Sequence, residues 1–121
     1  MKKIIFFTIV ASLLFIANSN AQNINWANWA YLDSYDGIKL EYRFGYYNDY
    51  QGYAQTELQI KAYNTRNKKV MVNFKSIMFS TGKKDYGGYL FYASEDTYTF
   101  KFRTEGTADR FEYNWSVEYY E

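Results

Sequence analysis

Apolar and polar residues alternate with a period of two along much of the chain after residue 22. The clearest run is Ile38–Phe44, in which even positions are apolar and odd positions are charged. Because successive side chains of a β-strand point to opposite faces, this pattern predicts a strand with one face in a core and the other in water. The same alternation predicts further strands in residues 57–62, 70–75, 98–103 and 111–119.

Two weaker runs, about Asn25 to Leu32 and Tyr89 to Ala93, predict two more strands. The alternation changes phase after Phe74, which predicts a β-bulge near Ser76. Turn-forming pairs such as Asp36-Gly37 separate the runs, and longer loops are expected at residues 46–53 and 80–88. About seven short antiparallel strands predict an all-β fold, most simply a β-sandwich, with a small soluble β-barrel as the alternative.

The first 21 residues have the pattern of a secretory leader. Lys2 and Lys3 precede an apolar run from Ile4 to Ala17, and small residues stand three positions and one position before a cut after Ala21. We therefore expect residues 1–21 to be a cleaved signal peptide and residues 22–121 to form one domain. The product would be secreted or periplasmic, with no transmembrane segment after cleavage. An uncleaved membrane anchor is the alternative.

Two stretches of the chain resemble immunoglobulin-like domains. Asp109–Val117 resembles their penultimate strand, with Trp115 at the position of the usual cysteine. More broadly, residues 35–79 resemble the small immunoglobulin-like or fibronectin-III-like domains that Gram-negative bacteria secrete, on the strands Gly37–Arg43, Ile60–Asn64 and Lys68–Phe74. The resemblance implies an immunoglobulin-like β-sandwich and no particular activity.

This resemblance leaves the end of the sheet undecided. If Phe111–Tyr120 is a penultimate strand, no residues remain for the last one, and the sheet has an open edge. Pilin-type domains complete such an edge with a strand from a partner. The simpler alternative is that Phe111–Tyr120 is itself the last strand.

Composition excludes several kinds of chemistry. The sequence contains neither histidine nor cysteine, which removes Ser-His-Asp and Cys-His catalysis, disulfides and the usual zinc ligands. Removing Lys2 and Lys3 from the 14 basic residues leaves 12 against 13 acidic ones, and no basic stripe suggests nucleic-acid binding. We predict no enzyme, no cofactor and no metal.

Acidic residues offer two weaker alternatives. A hydrolase with two carboxylates would need a pair such as Glu95 and Asp96, or Glu41 and Glu57 buried in a cleft. Four aspartates in or near predicted loops have the oxygen ligands that calcium prefers. They are Asp33, Asp36, Asp49 and Asp109, and their spacing matches no EF-hand.

The strongest candidate site is the stretch GYYNDYQGY, residues 45–53, where the alternation stops. Its four tyrosines, Tyr46, Tyr47, Tyr50 and Tyr53, are the predicted ligand-binding residues. Exposed tyrosine offers a flat apolar ring and a hydroxyl at low entropic cost, which suits a sugar ring or a protein partner. Asn48, Asp49 and Gln51 are expected to bind sugar hydroxyls, and Tyr86 and Tyr89 would extend the surface. The alternative is that the rings fold over the sheet.

These observations predict a secreted, non-catalytic binding module that recognises a glycan or an envelope protein through its tyrosine-rich loop. The alternative function is a structural subunit of a cell-envelope or surface assembly, joined to its neighbours through a sheet edge.

Overall fold

The structure, a computed structural model, describes the backbone of residues 2–8 and all atoms of residues 23–120. Within these ranges the chain forms nine strands and no helix. They are β1 (Lys2–Thr8), β2 (Asn25–Trp26), β3 (Ala30–Tyr35), β4 (Ile38–Asn48), β5 (Ala54–Asn64), β6 (Val70–Phe79), β7 (Lys84–Phe91), β8 (Thr97–Glu105) and β9 (Arg110–Tyr119).

The strands form two antiparallel sheets. One sheet has the order β2-β4-β5-β8, with β3 also paired to β4. The other has the order β9-β6-β7, and β1 pairs with the outer edge of β9. Because the two sheets keep separate edges, the fold is an all-β sandwich, as predicted, and the alternative of a small closed barrel is wrong.

The core lies between the sheets and follows the alternation in the sequence. On β4 the buried side chains are Ile38, Leu40, Tyr42, Phe44 and Tyr46, every second residue from 38 to 46. Aromatic rings from both sheets meet there. Burying such rings provides most of the favourable free energy in a fold without disulfides.

One buried acid joins the sheets. Asp33 of β3 accepts hydrogen bonds from the Tyr113 hydroxyl (3.0 Å) and from Trp115 Nε1 (3.2 Å), both on β9. A buried carboxylate is costly unless it is hydrogen-bonded, and here two side chains of the facing sheet satisfy it. Burial, and secondarily the bond to Asp33, raises the pKa of Tyr113 well above its ordinary value. Asp33 is therefore an interior residue, not a loop ligand.

Several boundaries differ from the sequence prediction. The bulge near Ser76 is confirmed, since the pairing of β6 with β9 shifts register between Phe74 and Ser76. The loop predicted at residues 46–53 is shorter, because β4 continues to Asn48. The loop predicted at residues 80–88 ends at Lys83, where β7 follows. The single strand predicted at about Asn25 to Leu32 is replaced by two strands, β2 and β3.

The predicted signal peptide lies mostly outside the described residues. Residues 9–22, which include the expected cleavage site after Ala21, are among those not described. Lys2–Thr8 of the same segment form β1. The described part of the chain contains no helix that is both long enough and apolar enough to cross a membrane.

Candidate functional site

The turn between β4 and β5 is held by one aspartate. Asp49 Oδ1 accepts hydrogen bonds from the backbone N–H groups of Gln51 and Tyr53, both at 2.9 Å. Its Oδ2 accepts a bond from Gln55 Nε2 at 3.1 Å, and its own N–H donates to the Tyr53 carbonyl at 2.9 Å. Gly52, at φ +87°, allows the chain to reverse. The five-residue turn 49–53, which we call the tyrosine hairpin tip, is therefore preorganised, and Asp49 is occupied by the turn itself.

Two of the four predicted site tyrosines project from this tip into solvent. Tyr50 is 86% exposed and Tyr53 is 66% exposed. Neither hydroxyl has a hydrogen-bond partner among residues 23–120. Two flat rings with unpaired hydroxyls, carried on a fixed backbone, can stack on a ligand and bond to it without first breaking an internal contact.

The Tyr46 side chain points into the core between the two sheets. It is 2% exposed, its ring stacks on Phe44 with centroids 6.0 Å apart, and its hydroxyl donates to the Ala108 carbonyl at 2.7 Å. Burial, with a smaller contribution from Asp109, raises the pKa of Tyr46 to about 12. Tyr46 is thus part of the core and is not accessible to a ligand on the surface.

Tyr47 occupies an intermediate position. It follows Tyr46 on β4 and therefore points to the outer face of the five-stranded sheet, where it is half-buried. The Arg103 guanidinium carbon on β8 lies 5.9 Å from its ring centroid. Tyr47 connects the tip to a second group of side chains on this outer face.

That second group, which we call the outer-face cluster, consists of Trp26, Trp29, Arg43, Glu57, Gln59 and Arg103. The Arg43 guanidinium carbon lies 4.2 Å from the Trp26 ring centroid and 4.5 Å from that of Trp29, so one cation contacts both rings. Trp26 packs over Gly45 on β4. A Cβ atom at that position would come within 2.5 Å of its ring, which explains the glycine.

A continuous row of polar contacts crosses the sheet beneath these rings. Arg43 Nε donates to Gln59 Oε1 (2.9 Å), and Gln59 Nε2 donates to Glu57 Oε2 (2.9 Å). Glu57 Oε1 accepts from Arg103 Nε at 2.8 Å, which makes an ion pair with a carboxylate that is itself buried. The hydrogen bond to Glu57 raises the pKa of Arg103 above its ordinary value. The row fixes Arg43 and Arg103 in position on the outer face.

Glu41 and Glu57 lie too far apart to form a hydrolase pair. Glu57 is buried, but both of its oxygens bond to Arg103 and Gln59. Glu41 accepts a bond from the Tyr63 hydroxyl at 2.7 Å. Glu57 pairs with Gly45, four residues along β4 from Glu41, a separation of about 13 Å, whereas a glycosidase pair needs ~5–10 Å.

The remaining candidates are engaged elsewhere. Glu95 accepts hydrogen bonds from the Tyr89 hydroxyl (2.5 Å) and the Tyr92 backbone, which lower its pKa. Tyr89 stacks on Tyr98, with ring centroids 3.7 Å apart. Of the two tyrosines predicted to extend the surface, Tyr86 and Tyr89, Tyr86 is the highly exposed one. The alternation in residues 98–103 predicts that Tyr98 faces the core with Phe100 and Phe102, but Tyr98 is 37% exposed at this stack. In the described part of the chain no three acidic residues are grouped to hold a metal ion.

The outer-face cluster is the part of the site that the sequence prediction misses. Trp26 and Trp29 stand in a segment with little alternation, and Arg43 and Glu57 read as ordinary solvent-facing charges of their strands. The available signal was two tryptophans before the first clear strand, since exposed tryptophan is uncommon unless it packs on something.

No known family model matches this chain, and neither a curated protein nor a solved structure shows significant similarity to it.

Proposed function

We propose that this protein is a secreted, non-catalytic module that binds a glycan through the tyrosine hairpin tip. The observation that carries the proposal is the exposure of Tyr50 and Tyr53 on a turn that Asp49 holds fixed. Aromatic rings of this kind stack on the apolar faces of sugars, and their hydroxyls, with the exposed side chains of Asn48 and Gln51, supply hydrogen bonds.

The size of the exposed tip favours a glycan over an envelope protein. Two tyrosine side chains present at most about 500 Å² of surface. A stable protein interface needs roughly 800 Å² on each partner, with a larger apolar centre. The neighbours of the rings are polar, so the tip suits a ligand of one or two sugar units better than a protein.

Half-buried Tyr47 and the ion-paired Arg103 extend this surface toward the outer face. A longer glycan would run from the tip along that face, where Arg103 and Arg43 are already held by Glu57 and Gln59. Charged donors that are fixed before binding lose little entropy when the ligand arrives. The leader-like residues 1–21 support export to the compartment in which such glycans are found. We also propose that the sandwich is immunoglobulin-like, a fold that by itself implies no particular activity.

The test is co-sedimentation of the purified protein with insoluble polysaccharides, together with affinity electrophoresis in soluble ones. We expect Tyr50→Ala and Tyr53→Ala to weaken binding by about 10-fold each, because each change removes one stacking ring. Tyr92→Ala is the matched control. Tyr92 is also an exposed turn tyrosine, 57% exposed, but follows β7 rather than the tip.

Three outcomes are informative. Polysaccharide binding that is lost in the tip variants and kept in Tyr92→Ala supports the proposal. Binding that survives both tip substitutions contradicts it. Capture of an envelope protein that depends on Tyr50 and Tyr53, with no glycan binding, also contradicts it in favour of a protein ligand.

A further inference from the structure

The outer edge of β9 belongs to a different sheet from the tyrosine hairpin tip. In the structure this edge is paired with β1, antiparallel, from Lys2 opposite Ser116 to Thr8 opposite Arg110. All of β1 lies within the segment expected to be removed as a signal peptide. After such removal β9 would be an edge strand, and its outward backbone N–H and C=O groups would be unpaired.

We propose that two copies of the processed chain pair through this edge, β9 against β9 and antiparallel, in the register that places Asn114 opposite Asn114. The structure supports the fit, because an antiparallel strand of seven residues already lies beside β9. The inference goes beyond glycan binding and depends on removal of the leader, not on the tip.

Charge complementarity selects this partner and this register. With Asn114 on the twofold axis, Arg110 of each copy lies opposite Glu118 of the other, so two pairs of opposite charges form. Arg110 and Glu118 are both exposed, and within residues 23–120 the ion-pair contact of Arg110 is a 4.0 Å one to its neighbour Asp109. Opposite charges on directly paired residues stabilise an antiparallel ladder, and like charges destabilise it.

The core-facing residues of β9 are also compatible with this register. In the same register Phe111 lies opposite Val117, and Tyr113 opposite Trp115. All four are buried core residues of the sandwich, so core-facing positions meet core-facing positions across the axis. A register shifted by two residues toward the C-terminus would instead place Glu112 opposite Glu118, and these like charges would destabilise the pairing.

Asn114 provides an independent observation at the centre of the interface. With β1 paired alongside, its Oδ1 atom is buried and has no hydrogen-bond partner in the described part of the chain, and a second β9 in place of β1 would cover the same position. Buried polar atoms are nearly always satisfied. Two asparagines facing each other across a twofold axis can satisfy one another, since Nδ2 of each donates to Oδ1 of the other.

The test measures the mass of the exported, processed protein in solution by sedimentation equilibrium. We expect a dimer for the natural sequence. Arg110→Glu alone and Glu118→Arg alone each convert both opposite-charge pairs into like-charge pairs, and each should weaken dimerisation by about 10- to 100-fold. The double substitution, and an equimolar mixture of the two single variants, restore opposite charges and should dimerise again.

Circular dichroism of each variant verifies that the fold is kept, which is expected because both side chains are exposed. A synthetic peptide of residues 2–8 should compete with the second copy and dissociate the dimer. The proposal is overturned if the processed protein is a monomer at about 100 μM, or if the single variants dimerise as well as the natural chain. It is also overturned if the mixture does not restore the dimer. Glycan binding by a monomer would leave the proposed function intact.

Discussion

Tyr46 and Tyr50 are four residues apart and lie in opposite environments. Tyr46 is enclosed between the sheets, where its hydroxyl has one fixed partner, the Ala108 carbonyl. Tyr50 stands on the hairpin tip, with its ring in solvent. A stretch that is uniformly rich in tyrosine therefore contains two populations, one that stabilises the fold and one that is free to bind. The strand phase up to Asn48, and not the composition, separates them.

The buried tyrosine hydroxyls donate hydrogen bonds to buried acceptors, whereas within residues 23–120 the hydroxyls of Tyr50 and Tyr53 make none. The Tyr113 hydroxyl donates a hydrogen bond to Asp33 at 3.0 Å, and the Tyr46 hydroxyl donates one to the Ala108 carbonyl at 2.7 Å. Because the donors and acceptors are desolvated, losing one partner leaves the other unsatisfied. Substitutions in the two regions should thus differ in kind. Interior changes should affect stability, and changes at the tip should affect binding.

The largest effect is expected for Asp33→Ala. This change leaves the Tyr113 hydroxyl and Trp115 Nε1 without their acceptor inside the sandwich, and we expect a loss of about 3–5 kcal/mol in the free energy of unfolding. Asp33→Asn should cost less, because its amide oxygen still accepts. Urea denaturation at neutral pH measures both.

The control for that experiment is Asp109→Ala, which changes an exposed aspartate and should cost no more than about 0.5 kcal/mol. If Asp33→Ala and Asp109→Ala are equally mild, the acid between the sheets does not stabilise the sandwich, and the contrast between the interior and the tip is weaker than the geometry indicates.

The sequence predicts the sandwich because its core strands alternate cleanly. Ile38–Phe44 is one example, and every apolar position of that run is buried as expected. The sequence pattern ends β4 too early, because Tyr47, an aromatic residue on the outer face, hides the continued alternation of Phe44 and Tyr46. The pattern begins β7 too late, because Gly87 and Gly88 interrupt it.

The candidate site was less predictable than the fold. Exposure of Tyr50 and Tyr53 follows from the turn, which the sequence indicates. The burial of Glu57 cannot be predicted from the sequence of its own strand. Its hydrogen-bond partners are Gln59 and Arg103, and Arg103 lies on another strand. The ring of Trp26, from a third segment, packs over the neighbouring Gly45. Contacts that depend on two distant segments leave no periodic signal in either one.

An intermediate effect is expected for Tyr46→Phe. The change removes the donor to the Ala108 carbonyl and should cost about 1–2 kcal/mol at neutral pH. Because the pKa of Tyr46 in the fold is about 12, above the ordinary value of 10.0, its neutral form is favoured in the folded state. The stability linked to this group is complete below pH 10 and is lost as the pH rises toward 12, by an amount on the order of 2–3 kcal/mol.

Urea midpoints at pH 8, 10 and 11 test this expectation. The Tyr46→Phe protein should lose less stability between pH 8 and 11 than the natural protein, although buried Tyr113 and Tyr42 keep part of the slope. Tyr47→Phe is the control, since its ring lies on the other face of β4. An alkaline slope that is identical in all three proteins would contradict the assignment of Tyr46 to the interior population.

The smallest effect on stability is expected at the tip. Tyr50→Ala and Tyr53→Ala remove rings that are largely in solvent, and each should change the free energy of unfolding by less than about 0.5 kcal/mol. The turn itself should persist in both variants, because Asp49 bonds to the backbone N–H of Tyr53 and not to its side chain. A loss of more than about 1 kcal/mol in either variant would mean that the rings pack on the sandwich, and weaker glycan binding would then report unfolding of the tip. A near-zero change, measured on the same preparations that fail to bind, would assign the whole effect to ligand contact, because neither side chain makes a hydrogen bond or ring contact within residues 23–120.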